Sequence, residues 1–474
     1  MIAPMRPVRR GLRPLALAIG GLSISATLIG CTHRHGPQPG PPSIVLILTD
    51  DQRFDTLAAM PNVQRDLSAH GVTFTNGFVS DSLCCPSRAS ILTGQYSSHT
   101  GVWGNQEPFG GFHSFHDQST IATWLRAKGY HTALFGKYLN GYDDTRYIPP
   151  GWEHWAAFDG AASPYNLYYK YTLNENGHLV RYGNTVDDYS TDVLASMATD
   201  YIRKTDGPLF VYFAPYGPHT PTSPAAQDAD ANVTLPFPRR PDYDEADVSD
   251  KPTWLRRRPP LTPQQIAYTH SEWTKEIRTD LSIDRAVDGI VKALDDSGRL
   301  QKTLIVFMSD NGFMLGEHRW INKVAPYEES IRVPFVVRYD PLIRGARTDP
   351  HLVVNIDLAS TFAAVGGATA PNAQGMSLLP LLGSSTAPWR DRFLIESKTL
   401  VGVPAFCGIR STGYAYVRYV RSGEQELYDL SADPYELANV ASDPRYATVL
   451  TRLRRADRRL CQPPPPVTGG SGGE

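Results

Sequence analysis

Two adjacent cysteines, Cys84 and Cys85, run straight into Pro86, Ser87 and Arg88 in the stretch SDSLCCPSRASILTGQYSSHTG, residues 80–101. Carboxylates collect elsewhere, where apolar runs stop. TDDQ places Asp50 and Asp51 after SIVLILT (43–49), and SDNG places Asp310 and Asn311 after TLIVFMS (303–309). Three carboxylates and an amide oxygen make an all-oxygen donor set, which suits a hard cation such as Ca²⁺ or Mg²⁺ better than zinc. Asp and Asn also cap helices and form turns. Two such pairs at two equivalent places tip the reading toward a metal.

A second set is cationic. Arg88 follows the cysteines, Lys137 lies in GYHTALFGKYLN, His219 in PYGPHTP, and His318 and Lys323 in GEHRWINK. Each alone reads as a solvated charge. Gathered around a divalent cation they describe a pocket for a tetrahedral oxyanion, whose charge needs fixed positive partners.

Such a gathering requires a scaffold that brings distant segments together. SIVLILT, TALFG (132–136), PLFVYFAPY (208–216), TLIVFMS and VPFVVRY (333–339) are short apolar runs without polar alternation, as in a parallel sheet covered on both faces. Helical stretches lie between them: STIATWLRAKG with Ser119 as N-cap and Gly129 as stop, DDYSTDVLASMATDYIRKT, and the long TPQQIAYTHSEWTKEIRTDLSIDRAVDGIVKALDDSG. The alternation predicts an α/β fold, a large and mainly parallel mixed sheet flanked by helices over residues 43–385. In such sheets ligands bind outside the carboxyl ends of the strands, where the polar clusters lie. From about residue 386 to 461 short β-like runs (FLIESK, AFCGIR, AYVRYV, ELYDL) precede a helical PRYATVLTRLRRADRRL, predicting a smaller C-terminal α+β domain. Residues 223–260, rich in Pro, Asp and Arg, read as a surface insertion, and 462–474 as a flexible tail.

The 474 residues, 41% hydrophobic and 20% charged, describe a globular chain, and a net charge of −2 argues against a nucleic-acid binder. Residues 1–31 read as a targeting segment: Arg6, Arg9, Arg10 and Arg13 precede the apolar run 14–30. LIGC (28–31) resembles a bacterial lipoprotein processing box that would lipidate Cys31, with ordinary secretion or an uncleaved anchor as alternatives. Residues 32–42 would form a Pro-rich tether. The chain is therefore expected to be exported, as a cell-envelope lipoprotein or a secreted protein, touching the membrane only through a lipid on Cys31. Export permits disulfides. Adjacent cysteines bridge poorly, so Cys407 and Cys461 are the more natural pair, with buried free thiols as the alternative.

Taken together these stretches resemble the formylglycine-dependent sulfatases of the alkaline phosphatase superfamily. CCPSRASILTG resembles the CxPSRxxxLTG signature, GYHTALFGKYL the second signature, and TDDQ, PHTP, SDNG and GEHRWINKVAPYEESIRVP follow in the family's order. ELYDLSADPYELANVASDP resembles the segment that closes these enzymes. GKYLNGYDD and YIPPGWEHW are similar to the N-acetylglucosamine-6-sulfatase and extracellular heparan endosulfatase branch. Many sulfatases carry His two residues after the lysine, where this chain has Leu139.

The resemblance implies an alkaline phosphatase-like fold and a set of roles. Cys84 would be oxidised to formylglycine by a formylglycine-generating enzyme, while Cys85 fills the variable position. Asp50, Asp51, Asp310 and Asn311 would hold Ca²⁺, or Mg²⁺, beside residue 84. Arg88 would fix the hydrated aldehyde, and Lys137 and Lys323 would bind sulfate oxygens. His219 would protonate the leaving alcohol, with His318 as second choice. The implied substrate is a sulfated saccharide or small sulfate ester, foremost the 6-sulfate of N-acetylglucosamine. Trp152, Trp155 and Tyr142 would offer apolar faces, Asp143 and Asp144 would accept sugar hydroxyls, and Arg256–Arg258 would steady a polyanion. Alternatives are a generic aryl or alkyl sulfatase, a phosphoester or phosphonate monoester hydrolase, and a lipoprotein that binds sulfated glycans without turnover.

Overall fold

The structure, a computed structural model, describes residues 40–143, 146–160 and 167–467. The targeting segment, Cys31 and most of the tether lie outside the described residues. Among the described residues, no helix is long and apolar enough to cross a membrane.

A ten-stranded sheet forms the centre. Its strands lie in the order Arg347–Asp349, Val72–Phe74, Phe335–Arg338, Thr303–Ser309, Ser43–Thr49, Leu209–Ala214, His131–Gly136, His154–Phe158, Thr172–Glu175 and His178–Arg181. The five strands from Thr303–Ser309 to His154–Phe158 run parallel. Phe335–Arg338 on one side and Thr172–Glu175 and His178–Arg181 on the other run antiparallel to their neighbours. The expected mixed, mainly parallel architecture is thus observed.

Both faces are covered, which explains the absence of polar alternation in the strands. Ile44, Leu46 and Leu48 join a core with the helices Cys84–Thr93, Ile121–Arg126 and Asp357–Val365. Val45 and Ile47 face the opposite core, shared with the helices Ser190–Lys204 and Pro263–Asp296. The long helix starts with Pro263 after the N-cap Thr262, whose side chain accepts from Gln265 N in a capping box. The N-cap of the Ile121–Arg126 helix is Thr120, whose amide donates to Thr123 Oγ1 at 3.0 Å, rather than Ser119. Ser119 Oγ instead accepts from Trp124 Nε1 at 2.9 Å.

The C-terminal part forms a four-stranded antiparallel sheet, Arg392–Ser397, Phe406–Ser411, Tyr414–Tyr419 and Gln425–Asp429, with the helix Ala447–Leu460 against it. Cys407 and Cys461 form a disulfide that ties this helix's end to the second strand. The sheet shares one core with Phe78, Leu83, Tyr327 and Val354 of the larger part.

Residues 223–260 are mostly exposed or half-buried, with buried side chains set among them. Asp242, Glu245, Lys251 and Leu255 are all buried. Lys251 Nζ pairs with Glu245 at 3.2 Å and donates to the carbonyls of Glu436 and Leu437 at 2.7 Å each. The polar composition reflects buried charges with internal partners as well as solvent exposure.

Candidate active site

Parallel register sets the first ligand atoms. Thr49 sits opposite Ser309, so the two strands end side by side and deliver Asp50 and Asp51 next to Asp310 and Asn311. Asp310 N donates to Thr49 O (3.0 Å) and Asp51 N to Asp310 Oδ1 (3.2 Å), locking the ends together. Asp51 adopts φ 65°, a left-handed turn that Asp tolerates better than most residues.

The cysteine stretch folds as the helix Cys84–Thr93, closed by Gly94 in the left-handed conformation. Cys84 is its first residue and wholly buried. Its Sγ lies 3.5 Å from Asp50 Oδ1 and 3.0 Å from Lys323 Nζ. Cys85 points elsewhere. Its amide donates to Asn105 Oδ1 (3.0 Å), and its Sγ accepts from Asn140 N at 3.0 Å, fastening a loop that lines the cleft.

Lys137 follows Gly136, whose φ of +112° and 2.0 Å approach of an added Cβ to Ala214 O exclude any side chain there. Lys137 Nζ bonds Asp50 Oδ2, and Lys323 Nζ bonds Asp51 Oδ1. Arg88 is buried with every arm engaged: Nε to Asp310 (2.7 Å), one terminal nitrogen to Asp50 (3.2 Å), the other to the Lys137 carbonyl (2.7 Å). His219 Nε2 lies 3.6 Å from Asp51 Oδ2, while its Nδ1 meets Tyr216 Oη at 2.8 Å and the Thr220 carbonyl. Nδ1–H donating to that carbonyl leaves Nε2 directed at the site.

Charge at this floor is tightly coupled. Burial would raise Asp50, yet Lys137, His219, Arg88 and Lys323 together pull it far below the ordinary carboxylate range. Burial and then Asp50 hold Asp310 up near pH about 6 against Arg88. Burial would lower Lys137 and Lys323, but Asp50 and Asp51 respectively raise both. Loss of solvent lowers His219, opposed by Asp51. Burial and Asp50 push the Cys84 thiol up to about 12.

The donor set fits a cation. Asp50, Asp51, Cys84 and His219 offer ligand atoms within 4.8 Å of one another. Asp51 Oδ2 and Asn311 Oδ1 are buried without a hydrogen-bond partner, a costly state that a cation would relieve.

Above the floor opens a cleft of about 810 Å³. Asp51, Lys137, His219 and Lys323 line its base, and Asn105, His113, Asn140, Asp143 and Asn322 line its walls. His113 Nε2 meets Asp143 Oδ1 at 2.9 Å, and both are about half exposed. Asn105, Asn140 and Tyr216 escaped the sequence reading, although Asn140 and Tyr216 sit inside stretches singled out for other residues.

Three sequence expectations end elsewhere. His318 does not line the cleft: it is wholly buried, with Nδ1 2.6 Å from Glu245 and its ring against Tyr327. Tyr142, Trp152 and Trp155 are core residues, with Trp155 Nε1 donating to Tyr142 Oη at 2.9 Å, and offer no face to a ligand. Asp144 lies outside the described residues. Of the arginine run, Arg256 bonds the Lys251 carbonyl and Arg258 packs 3.9 Å over the Trp320 ring.

Comparison with known proteins supplies the identity. The sulfatase family pattern matches residues 42–368, and that of the N-sulphoglucosamine sulphohydrolase C-terminal region matches 316–462. Human N-acetylglucosamine-6-sulfatase is 32% identical over 497 residues, covering 93% of this chain and 88% of its own. An extracellular sulfatase of Drosophila melanogaster is 35% identical over 372 residues, 75% of this chain but only 33% of that protein, so the chain spans about a third of that relative's length. A protein solved in complex with its substrate D-glucosamine-2-N,6-O-disulfate shares the fold, with a TM-score of 0.75, 24% identity and coverage of 89% of this chain and 98% of that one. The chain belongs to the sulfatase family, which are sulfuric ester hydrolases.

Proposed function

We propose that the chain hydrolyses the 6-O-sulfate of N-acetylglucosamine or a related amino sugar, using a formylglycine formed from Cys84. The observation that carries the nucleophile is the place of residue 84: first in its helix, wholly buried at the cleft floor, with its side chain 3.5 Å from Asp50 Oδ1 and 3.0 Å from Lys323 Nζ. As an aldehyde hydrate it presents two hydroxyls on one carbon. One attacks sulfur and the alcohol departs, leaving the sulfate ester of the diol. Loss of the proton from the second hydroxyl then expels sulfate and restores the aldehyde.

The remaining residues take their roles from their geometry. Asp50, Asp51, Asp310 and Asn311 would hold Ca²⁺ or Mg²⁺, which polarises the sulfate and lowers the pKa of the attacking hydroxyl when bound. Lys323 and Lys137, kept protonated by Asp51 and Asp50, would offset charge on the sulfate oxygens. Arg88, engaged on all sides, holds Asp50, Asp310 and the Lys137 backbone in place and acts as a positioning residue. His219 would deliver the proton to the leaving alcohol from Nε2. Its lowered pKa makes it, once protonated, a stronger acid toward the leaving alcohol.

The substrate assignment rests on the human relative named above. A primary ester projects from its ring and can reach the floor while the ring stays among Asn105, Asn140, His113 and Asp143. Tyr268 and Phe313, which line the cleft, replace the tryptophans as apolar faces. Residues 43–385 would form the catalytic domain and 386–461 its C-terminal companion. Export, by secretion or as a lipoprotein, and maturation by a formylglycine-generating enzyme complete the reading. The test compares kcat/KM for N-acetylglucosamine 6-sulfate, galactose 6-sulfate, an aryl sulfate and an aryl phosphate. Preference for the first supports the reading. Efficient cleavage of the aryl sulfate alone removes the sugar assignment, and preference for phosphate removes the sulfate one.

A further inference from the structure

A second group of ligating side chains lies buried outside the cleft. Asp242, His318 and Glu329 offer ligand atoms within 4.8 Å of one another, and all three are buried. His318 Nε2 and both carboxylate oxygens of Asp242 have no hydrogen-bond partner, although both residues are 0% exposed. The other imidazole nitrogen, Nδ1, is 2.6 Å from Glu245 Oε2. A carboxylate on one ring nitrogen is the arrangement that fixes a metal-ligating histidine, because it holds the proton on Nδ1 and turns the Nε2 lone pair toward the ion. With that tautomer, an unprotonated nitrogen and unpartnered carboxylate oxygens face one another, and a positive charge between them would relieve the repulsion.

We propose that Asp242, His318 and Glu329 form a second cation site, distinct from the one at the cleft floor, which takes a divalent transition metal such as Zn²⁺. The mixed nitrogen and carboxylate donors match zinc rather than an alkaline-earth ion. Its consequence is positional. His318 and Arg319 both hold left-handed φ angles (50° and 61°), and His318 N donates to Asp242 O at 2.7 Å. An ion there would pin the loop that carries Lys323, five residues on, into the cleft. The site draws the 223–260 segment, which supplies Asp242 and Glu245, into the support of that loop.

The test is metal content. Full-length protein equilibrated with Ca²⁺ and Zn²⁺ and freed of excess should retain one zinc per chain. Asp242→Asn and His318→Gln should each retain less than a tenth of that with alkaline-earth content unchanged. Zinc near zero in the wild type, or equal zinc in the variants, overturns the site. If either variant fails to fold, anomalous diffraction at the zinc edge from wild-type crystals grown with zinc decides: a peak among the three side chains supports the site, and no peak, or one only at Asp50 and Asp51, overturns it. Either outcome leaves the sulfatase assignment untouched.

Discussion

Charges are buried in two regions of this chain, and in opposite manners. At the junction with the C-terminal sheet most partners close on them. Glu426 accepts from Tyr327 Oη (2.8 Å), Tyr419 Oη (2.6 Å) and Tyr428 Oη, and Arg410 Nε pairs with Glu328 at 2.6 Å. At the cleft floor the partners leave gaps: Asp51 Oδ2 and Asn311 Oδ1 stay without a hydrogen bond, and two lysines crowd the acids beneath a cavity. Enclosed charge holds layers together. Charge left open toward a cavity is arranged for a ligand that has yet to arrive, so substitutions in the two regions should separate activity from stability.

The largest separation is expected at the helix start. Cys84→Ala should lower kcat by on the order of 10⁴-fold or more, as loss of a nucleophile does, with little change in Tm. Cys85→Ala, which loosens only the Asn140 contact, should cost less than about tenfold. Equal losses in two folded variants would break the assignment. Chelation should likewise abolish turnover, and Ca²⁺ or Mg²⁺ alone should restore it. Activity that returns only with zinc would move the catalytic ion out of the all-oxygen class.

The junction should answer in stability instead. Replacing Cys407 and Cys461 by Ser opens a loop of 54 residues, worth about 4 kcal/mol in the chain-entropy description, while kcat/KM of the folded protein stays within about twofold. An unchanged unfolding midpoint would show that the disulfide contributes nothing to the comparison. Lys323→Ala, back at the floor, should cost about 10²- to 10³-fold in kcat, the range for removing one preorganised donor. An effect confined to KM would place Lys323 in ground-state binding.

One carboxylate at the junction departs from the enclosed pattern and sharpens the contrast. Glu396 Oε1 accepts from Ser98, but Oε2 has no partner, and burial raises its pKa from 4.5 to about 7. A raised folded-state value means that its contribution is fully present below about pH 4.5 and is lost as pH rises through 7, by about 3 kcal/mol in all. Glu396→Gln should therefore flatten the decline in Tm between pH 5 and 8. An identical decline in that variant would assign it to other groups.

Much of the floor was legible in the sequence for a physical reason. A strand buried on both faces shows an unbroken apolar run, so the polar residues that end it, such as Asp50 and Asp310, mark where the sheet stops. The C-terminal strands and the disulfide were legible in the same local way. What a side chain turns toward was not. His318 sits five residues before Lys323, yet left-handed backbone at His318 and Arg319 sends the two into different surroundings. Trp152 and Trp155 have the composition of a sugar platform and the burial of a core. Within residues 223–260 the burial of Glu245 and Lys251 was not legible, because buried, paired charge and solvated charge have the same letters.

The central claim, that the residue at position 84 works as an aldehyde and not as a thiol, is tested most directly by mass spectrometry of the peptide spanning residues 80–101 from active enzyme, without and with reduction by borohydride. The account predicts an aldehyde at position 84, convertible to an alcohol, beside an intact thiol at Cys85. Two unmodified thiols in fully active protein would contradict it.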